Sequence, residues 1–272
     1  MIEVISPGPS ATVQDLGRPG FAHLGVSRSG AFDRSALRLA NRLVGNDEGA
    51  AGLEILGGGL VFRLGDATTV ALTGARCAGE LDWGQARTFP AGARVAVGPA
   101  VSGLRAYVAF RGGLAGPAPL GSRSTDSLSG VGPAPVRAGD VLWSGPTPTG
   151  EVDGAQAVAP PGRPLGVTPG PRLDWFEPDA FTQLRRSKWV VRPESDRIGI
   201  RLDGPALGRI RPGELPSEPT LPGALQVPPD GRPILLGPDA PVTGGYPVIA
   251  VVDEADLDLA AQLRPGETLR FR

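Results

Sequence analysis

Glycine and proline interrupt this chain at short intervals, and that feature constrains the fold more than any other. The 41 glycines and 30 prolines make up about a quarter of the sequence and lie between short apolar runs without forming repeats. Proline removes a backbone donor and glycine weakens helices, so few long helices are expected. Short apolar runs bounded by turn residues are typical of strands. The sequence therefore predicts a mostly β protein with a few short helices.

The apolar runs themselves predict individual strands. In the run from Leu104 to Phe110, alternate residues are apolar, which predicts a half-buried strand. The run from Val248 to Val252 is apolar on both faces, which predicts a strand inside a sheet or barrel wall. Further runs predict strands at 60–64, 68–73, 94–97, 189–192, 198–202 and 233–236.

Helical patterns occur in three places. The clearest runs from Asp33, a good N-cap, to Val44, with Gly45 and Asn46 to end it. A second candidate helix opens at Pro178 and runs to Arg186, and a third starts near Asp253 and stops before Pro265.

Residues 146–164 are rich in glycine and proline and nearly devoid of large apolar side chains. Such a segment cannot bury enough apolar surface to order itself, which is typical of a linker. We therefore expect an N-terminal β-rich lobe over 1–145, with one helix near 33–44, and a C-terminal β-rich lobe over 165–272.

Composition argues against several functional classes. The 27 basic and 28 acidic residues nearly cancel, which argues against general binding of nucleic acid. One histidine, His23, and one cysteine, Cys77, cannot build a histidine or thiolate metal site. The sequence contains no P-loop. No apolar segment is long enough to cross a membrane and no secretion leader is evident, so we expect a cytoplasmic protein with no membrane partner.

A polar turn near the N-terminus is the first candidate site. Gln14, Asp15 and Arg18 fall within one irregular turn bounded by glycines and proline. Ser29 and Asp33 follow shortly and lead into the main helix, whose first amides favour an anion or carboxyl group. The alternative is structural: Asp33 only caps the helix and Arg18 pairs only with Asp15.

A second candidate site lies in the C-terminal half. Strand alternation would place Arg197 and Arg201 on one face beside Gly199, where two guanidiniums could hold a carboxylate or phosphate. A solvated strand face is the alternative. Further along, Gln226 and Asp230 flank a Pro-Asp-Gly turn, and a glycine pair precedes an aromatic ring, which would let backbone amides approach a ligand; these residues are Thr243, Gly244, Gly245 and Tyr246.

Together and in this order, the motifs resemble those of the biotin-dependent carboxyltransferase-like proteins. That family includes the C subunit of bacterial ATP-dependent 5-oxoprolinase, the KipA antagonist proteins and a region of urea amidolyase. The resemblance extends over nearly the whole chain and is carried by the segments 12–20, 29–33, 120–125, 195–197, 222–231 and 243–247.

The resemblance implies a cyclophilin-like β-barrel architecture and an enzyme that is active only as a complex. Its partners would be a KipI-like B subunit and a LamB/YcsF-like A subunit, and the complex would use ATP to hydrolyse 5-oxoproline to glutamate. No biotin would be attached to this chain, because the biotin-accepting Met-Lys pair is absent. Two alternatives stay open: a carboxyltransferase-type component of a biotin-dependent urea or amide carboxylase, and a non-enzymatic KipA-like antagonist of a KipI-like kinase inhibitor.

The resemblance also implies roles for the candidate residues, because both chemistries create an anionic intermediate that fixed donors stabilise. Catalytic roles are expected for Asp33, Arg18, Arg197 and Asp230, with one of the aspartates as proton acceptor. Substrate binding is expected of Gln14, Asp15, Ser29, Arg201, Gln226, Thr243, Gly244, Gly245 and Tyr246. We expect both lobes to contribute to one cleft. Pro241, Val242 and Val248 depart from the family pattern beside the glycine pair.

Overall fold

The computed structural model describes residues 1–152 and 164–272, which form a mostly β protein of two compact units. The first unit comprises Met1–Arg18, Ser29–Asp126 and the described residues from 130 to 152. The second comprises Pro19–Arg28, Ser127–Ser129 and the described residues from 164 onward. Most of the predicted linker, 153–163, lies outside the described residues.

The described residues of the first unit form an eight-stranded antiparallel sheet and one long helix. The elements are β1 (Ile2–Pro7), β2 (Ser10–Gln14), α1 (Arg34–Leu43), β3 (Gly52–Leu56), β4 (Leu60–Leu64), β5 (Thr68–Gly79), β6 (Ala86–Phe89), β7 (Arg94–Phe110) and β8 (Val141–Leu142). Their order is β2-β3-β7-β4-β1-β8, with β5 paired to β7 and β6 to β5. The predicted strand at 60–64 is confirmed with the bounds expected.

Strand β7 organises this unit, and it corrects one prediction. The two runs predicted at 94–97 and 104–110 are parts of one continuous strand. Its C-terminal part is buried on both faces, so the half-buried strand predicted there is wrong. Val108 and Phe110 face one apolar core, whereas Tyr107 and Ala109 face a second core formed with α1. An alternating pattern could not reveal this, because alanine and tyrosine on the second face do not read as a core.

Helix α1 confirms the clearest helical prediction. Asp33 is its N-cap and accepts a hydrogen bond from the amide of Ala36 at 2.8 Å. The helix ends at Leu43, and Gly45 follows in the left-handed region at φ +72°. The helix covers the second face of the sheet with its apolar stripe.

The second unit contains a seven-stranded sheet, a two-stranded ribbon and two short helices among its described residues. The elements are β9 (Val167–Pro169), α2 (Ala180–Arg186), β10 (Trp189–Val191), β11 (Gly199–Asp203), β12 (Glu218–Pro219), β13 (Ala224–Gln226), β14 (Ile234–Leu236), β15 (Thr243–Gly244), β16 (Val248–Val252), α3 (Glu254–Ala260) and β17 (Thr268–Leu269). The sheet order is β17-β10-β11-β14-β13-β16-β9, and the ribbon pairs β12 with β15.

Both sheets are curled half-barrels, as the predicted barrel architecture requires. The strand predicted at 248–252 is confirmed and has a neighbour on each side, and both predicted short helices are present. Over the described ranges, none of the helices has the length and apolar character needed to cross a membrane.

Candidate functional site

The Asp15 carboxylate fixes a polar loop against the end of β2. Its Oδ1 accepts hydrogen bonds from the amide of Gly17 at 2.7 Å and from the hydroxyls of Ser122 and Ser124 at 2.6 Å each. Its Oδ2 accepts from the amide of Arg123 at 2.6 Å. Asp15 is therefore balanced by neutral donors, and the alternative in which Arg18 pairs with it is wrong.

Arg18 is the most unusual side chain in the first unit. It is only 1% exposed, and its Nη2 donates to the carbonyl oxygen of Ser124. Its Nε and Nη1 have no hydrogen-bond partner, and no carboxylate of the described residues forms an ion pair with it. Burying an unbalanced charge costs several kcal/mol, so this guanidinium is prepared for an anion that the chain itself does not supply.

Gln14 and Thr125 lie beside Arg18 and also have unmatched polar atoms. The amide nitrogen of Gln14 donates to the hydroxyl of Thr12 at 3.1 Å and to the carbonyl oxygen of Thr125 at 3.0 Å. The Oε1 of Gln14 and the hydroxyl of Thr125 are buried without a partner among the described residues. We call Gln14, Arg18, Ser124 and Thr125 the Arg18 cluster.

Ser29 and Asp33 connect this cluster to the start of α1. The hydroxyl of Ser29 donates to the Thr125 carbonyl oxygen at 3.0 Å, and Ser29 itself adopts the left-handed region at φ +52°. Asp33 caps the helix, and its backbone amide donates to the hydroxyl of Tyr107 at 2.8 Å. The structure thus places Ser29 at the cluster and gives Asp33 a capping role; its catalytic role stays a prediction.

A buried network around Glu54 was not predicted from the sequence. Glu54 Oε2 accepts from the Tyr107 hydroxyl at 2.8 Å and from the Phe32 amide at 3.0 Å. The Nε of Arg105 lies 3.6 Å from Glu54 Oε1, and both side chains are about 5% exposed or less. Burial, and then the negative charge of Glu54, raise the pKa of Tyr107 well above its ordinary range. The only signal in the sequence was a charged residue inside each of two apolar runs.

In the second unit, Arg197 is held by a carboxylate of the chain. Its Nε and Nη2 donate to the two oxygens of Asp239 at 2.8 and 3.0 Å. Asp239 is fully buried and also accepts from the amide and hydroxyl of Ser127 at 3.0 and 2.7 Å. This bidentate pair gives Arg197 a structural role, and its catalytic role stays a prediction.

Arg197 and Arg201 do not share a strand face, which corrects the sequence prediction. Asp196 accepts hydrogen bonds from the amides of Ile198 and Gly199 at 2.8 and 2.9 Å. This local turn delays the strand, so β11 begins only at Gly199. Arg201 lies on β11 with an exposed side chain.

Asp230 lies in an exposed turn between β13 and β14. Gly231 adopts φ +76°, and its amide donates to the carbonyl oxygen of Pro228 at 3.0 Å. The Asp230 carboxylate accepts from the Arg232 amide at 3.1 Å. These contacts are those of an ordinary turn, and the proposed proton-acceptor role stays a prediction.

Gln226 lies against the glycine pair, as the motif order suggested. Its side chain is 7% exposed, and its Nε2 has no partner within the described chain. A Cβ atom on Gly244 would come within 2.6 Å of that nitrogen, so glycine is needed for this approach. Gly244 pairs with Glu218 across the β12–β15 ribbon. The donor atom of Gln226 is thus buried and unmatched.

The remaining ribbon residues are placed by backbone contacts. Thr243 pairs with Pro219, and the carbonyl oxygen of Gly245 accepts from the amide of Leu215 at 2.9 Å. Tyr246 follows with a half-buried ring. A bidentate hydrogen bond from Arg172 lowers the pKa of Glu218 on the neighbouring strand.

The predicted residues thus form two groups. Gln14, Asp15, Arg18 and Ser29 come together in the first unit, and Gln226 lies beside Thr243 and Gly244 in the second. The single cleft expected to unite both groups stays a prediction. Among the described residues, no group of three or more His, Cys, Asp and Glu side chains could hold a metal ion.

Comparison with known proteins gives a consistent result. A family model described as "Carboxyltransferase domain, subdomain A and B" matches residues 24–272. The 5-oxoprolinase C subunit of Escherichia coli (strain K12) is 40% identical over the whole chain, which covers 90% of that protein. The Haemophilus influenzae protein of the same name is 34% identical with the same coverage.

Larger proteins contain a similar region. Urea amidolyase of Saccharomyces cerevisiae is 33% identical, and the chain covers 99% of itself but only 16% of that protein. The crystal structure of the K. lactis urea amidolyase superimposes with a TM-score of 0.93 at 31% identity and covers 99% of this chain and 18% of that one.

Proposed function

Because the chain belongs to the carboxyltransferase domain, subdomain A and B, family, we propose that it is the C subunit of an ATP-dependent 5-oxoprolinase. The complex would hydrolyse the ring amide of 5-oxoproline to give glutamate. A KipI-like B subunit and a LamB/YcsF-like A subunit would complete it, and this chain would be active only with them.

The observation that carries this proposal is the match in length. The chain covers 90% of two proteins named as the C subunit of 5-oxoprolinase, but only 16% of the urea amidolyase of Saccharomyces cerevisiae. A chain of this extent is comparable with a separate subunit, whereas the amidolyases carry the same region within a much longer polypeptide.

The chemistry of the described residues supports the same function. Attack on an amide places negative charge on the carbonyl oxygen, and fixed donors in a buried site stabilise that charge. Arg18 and Gln226 each keep a buried donor atom without a partner among the described residues. Both are therefore available to a substrate without first breaking a contact within the chain.

ATP would be a co-substrate of the complex, and its phosphates would drive the opening of a stable lactam. The described residues do not fit a nucleotide site: they bring together no cluster of carboxylates for the accompanying cation, and the sequence contains no P-loop. We therefore derive no step of ATP chemistry on this chain.

A carboxyltransferase component is the second candidate. It is favoured by the fold, because the K. lactis urea amidolyase structure matches with a TM-score of 0.93. In that case the chain would act with a separate biotin enzyme on urea or another amide.

The test is to co-express this chain with the KipI-like and LamB/YcsF-like partner chains, purify the complex, and follow glutamate release from 5-oxoproline. We expect release that requires ATP and stops when this chain is omitted. A parallel reaction with biotin carboxylase, bicarbonate and urea tests the second candidate. A folded three-chain complex that releases no glutamate would contradict the proposal.

A further inference from the structure

The buried guanidinium of Arg18 requires a partner of opposite charge. The other fully or nearly buried arginine of the first unit, Arg105, faces the carboxylate of Glu54 at 3.6 Å. Arg18 is at least as buried, yet its Nε and Nη1 are unmatched within the described chain. Because an isolated buried charge is costly and is usually paired, this contrast points to a bound anion.

The guanidinium is held in place before any ligand arrives. Its Nη2 donates to the Ser124 carbonyl oxygen, and Ser124 is fixed in turn by the Asp15 carboxylate. Gly132 packs closely on the same carbonyl: a Cβ atom there would lie 2.1 Å from the Ser124 oxygen and 3.2 Å from Arg18 Nη2. A donor fixed in this way loses little conformational entropy when it binds a ligand.

The neighbouring unmatched atoms narrow the chemistry of that ligand. The buried Oε1 of Gln14 is an acceptor and needs an N–H or O–H group, while the Thr125 hydroxyl can donate or accept. Gln14 cannot simply rotate its amide, because its nitrogen already serves Thr12 and Thr125. The Arg18 cluster therefore suits a small anion that carries a hydrogen-bond donor next to its charged group.

We propose that the Arg18 cluster binds the carboxylate of 5-oxoproline and that Gln14 accepts a hydrogen bond from its ring N–H, an inference that rests on the proposed function. In 5-oxoproline the carboxylate and the N–H are attached to the same carbon, which matches a guanidinium and an amide oxygen held around one loop. The bond that breaks is the ring amide, so Arg18 is a binding residue and does not touch the reacting carbonyl.

Ligand variants test this without altering the protein. Calorimetric titration of the purified three-chain complex would compare 5-oxoproline with 2-pyrrolidinone, which lacks the carboxylate, and with N-methyl-5-oxoproline, which lacks the N–H. Hydrogen bonds to charged groups are strong, so we expect 2-pyrrolidinone to bind roughly tenfold to a hundredfold more weakly. N-methyl-5-oxoproline should bind roughly tenfold more weakly. Equal affinity of all three compounds would overturn the proposal.

Arg18→Lys tests the residue itself, with Arg105→Lys as a control of matched burial. Lysine keeps the charge but loses the planar fork, so we expect 5-oxoproline to bind at least about tenfold more weakly to Arg18→Lys. Its affinity for 2-pyrrolidinone should not change, and Arg105→Lys should not alter the ratio between the two ligands. Equal loss for both ligands in Arg18→Lys would indicate a merely structural role and overturn the proposal.

Competing anions and the reaction itself separate this proposal from the proposed function. Phosphate or chloride that displaces 5-oxoproline at equal concentration would show a general anion site and overturn the assignment to a carboxylate. Unchanged glutamate release and KM in Arg18→Lys would overturn the site but leave the function. Arg18-dependent binding of 5-oxoproline in a complex that releases no glutamate would support the site and remove the function.

Discussion

At the scale of single residues, the buried arginines differ in what balances their charge. Arg105 faces Glu54, and Arg197 is held by both oxygens of Asp239. Arg18 has only a backbone carbonyl as partner among the described residues. Sequence alone treats these arginines alike, whereas the structure gives the first two a stabilising role and leaves Arg18 for a ligand.

Glu54→Gln should destabilise the first unit. Removal of this charge leaves Arg105 buried without a counter-charge, which costs about 3 kcal/mol in comparable cases. Urea unfolding would measure the loss. Glu3→Gln is the control, because Glu3 and its partner Arg63 are exposed and such pairs contribute about 0–1 kcal/mol. Equal effects of the two substitutions would contradict the proposed network.

Arg197→Ala should cost about 3–5 kcal/mol of unfolding free energy, since it leaves the Asp239 carboxylate buried and unpaired. Arg201→Ala should change stability by no more than about 0.5 kcal/mol, because that side chain is exposed. Urea unfolding of the two variants tests this difference. A stable Arg197→Ala variant that loses activity would instead support the catalytic role predicted from the sequence.

Tyr107 should make stability fall with pH in alkaline solution. Its pKa is raised in the folded protein, so between about pH 10, where the unfolded chain ionises, and the folded pKa, the unfolded state binds fewer protons. Stability is then lost as pH rises, by at most about 1.4 kcal/mol per pH unit, with no dependence below that range. Comparing urea unfolding of wild type and Tyr107→Phe at pH 9 and 11 measures this slope. An identical slope in both proteins would rule the effect out.

At the scale of elements, the secondary structure was easier to predict than the contacts of the site. Short apolar runs and the Asp33 cap predicted strands and helices, because those signals are local. Glu54 and Tyr107 meet only because β3 and β7 pair in the register that places them opposite each other. Registers of distant strands leave no local signal, so this network and the Arg197–Asp239 pair were missed.

The loop that carries Ser124 depends on a close backbone approach at Gly132. Gly130 and Gly132 both have positive φ, but a Cβ atom would meet nothing within 4 Å at Gly130 and the Ser124 oxygen at Gly132. Gly132→Ala should therefore be about 1–3 kcal/mol less stable than Gly130→Ala. It should also weaken binding of 5-oxoproline by the complex. Equal unfolding free energies would show that the loop accommodates the added atom.

At the scale of the whole molecule, two half-barrel units each carry an unmatched buried donor, Arg18 in the first and Gln226 in the second. The motif order of the sequence identified both groups, but it could not show which donors were already used within the chain. The match to relatives of similar length favours a separate polypeptide that works with partner chains. The central claim is that the anion Arg18 lacks is the substrate of the complex.

The most direct measurement of that claim is the nitrogen-15 resonance of the Arg18 Nε in the three-chain complex, assigned by its loss in Arg18→Lys. Addition of 5-oxoproline should shift this resonance and slow exchange of its proton with water, whereas 2-pyrrolidinone should do neither. An Arg18 Nε resonance that stays unchanged while the same sample converts 5-oxoproline to glutamate would contradict the account.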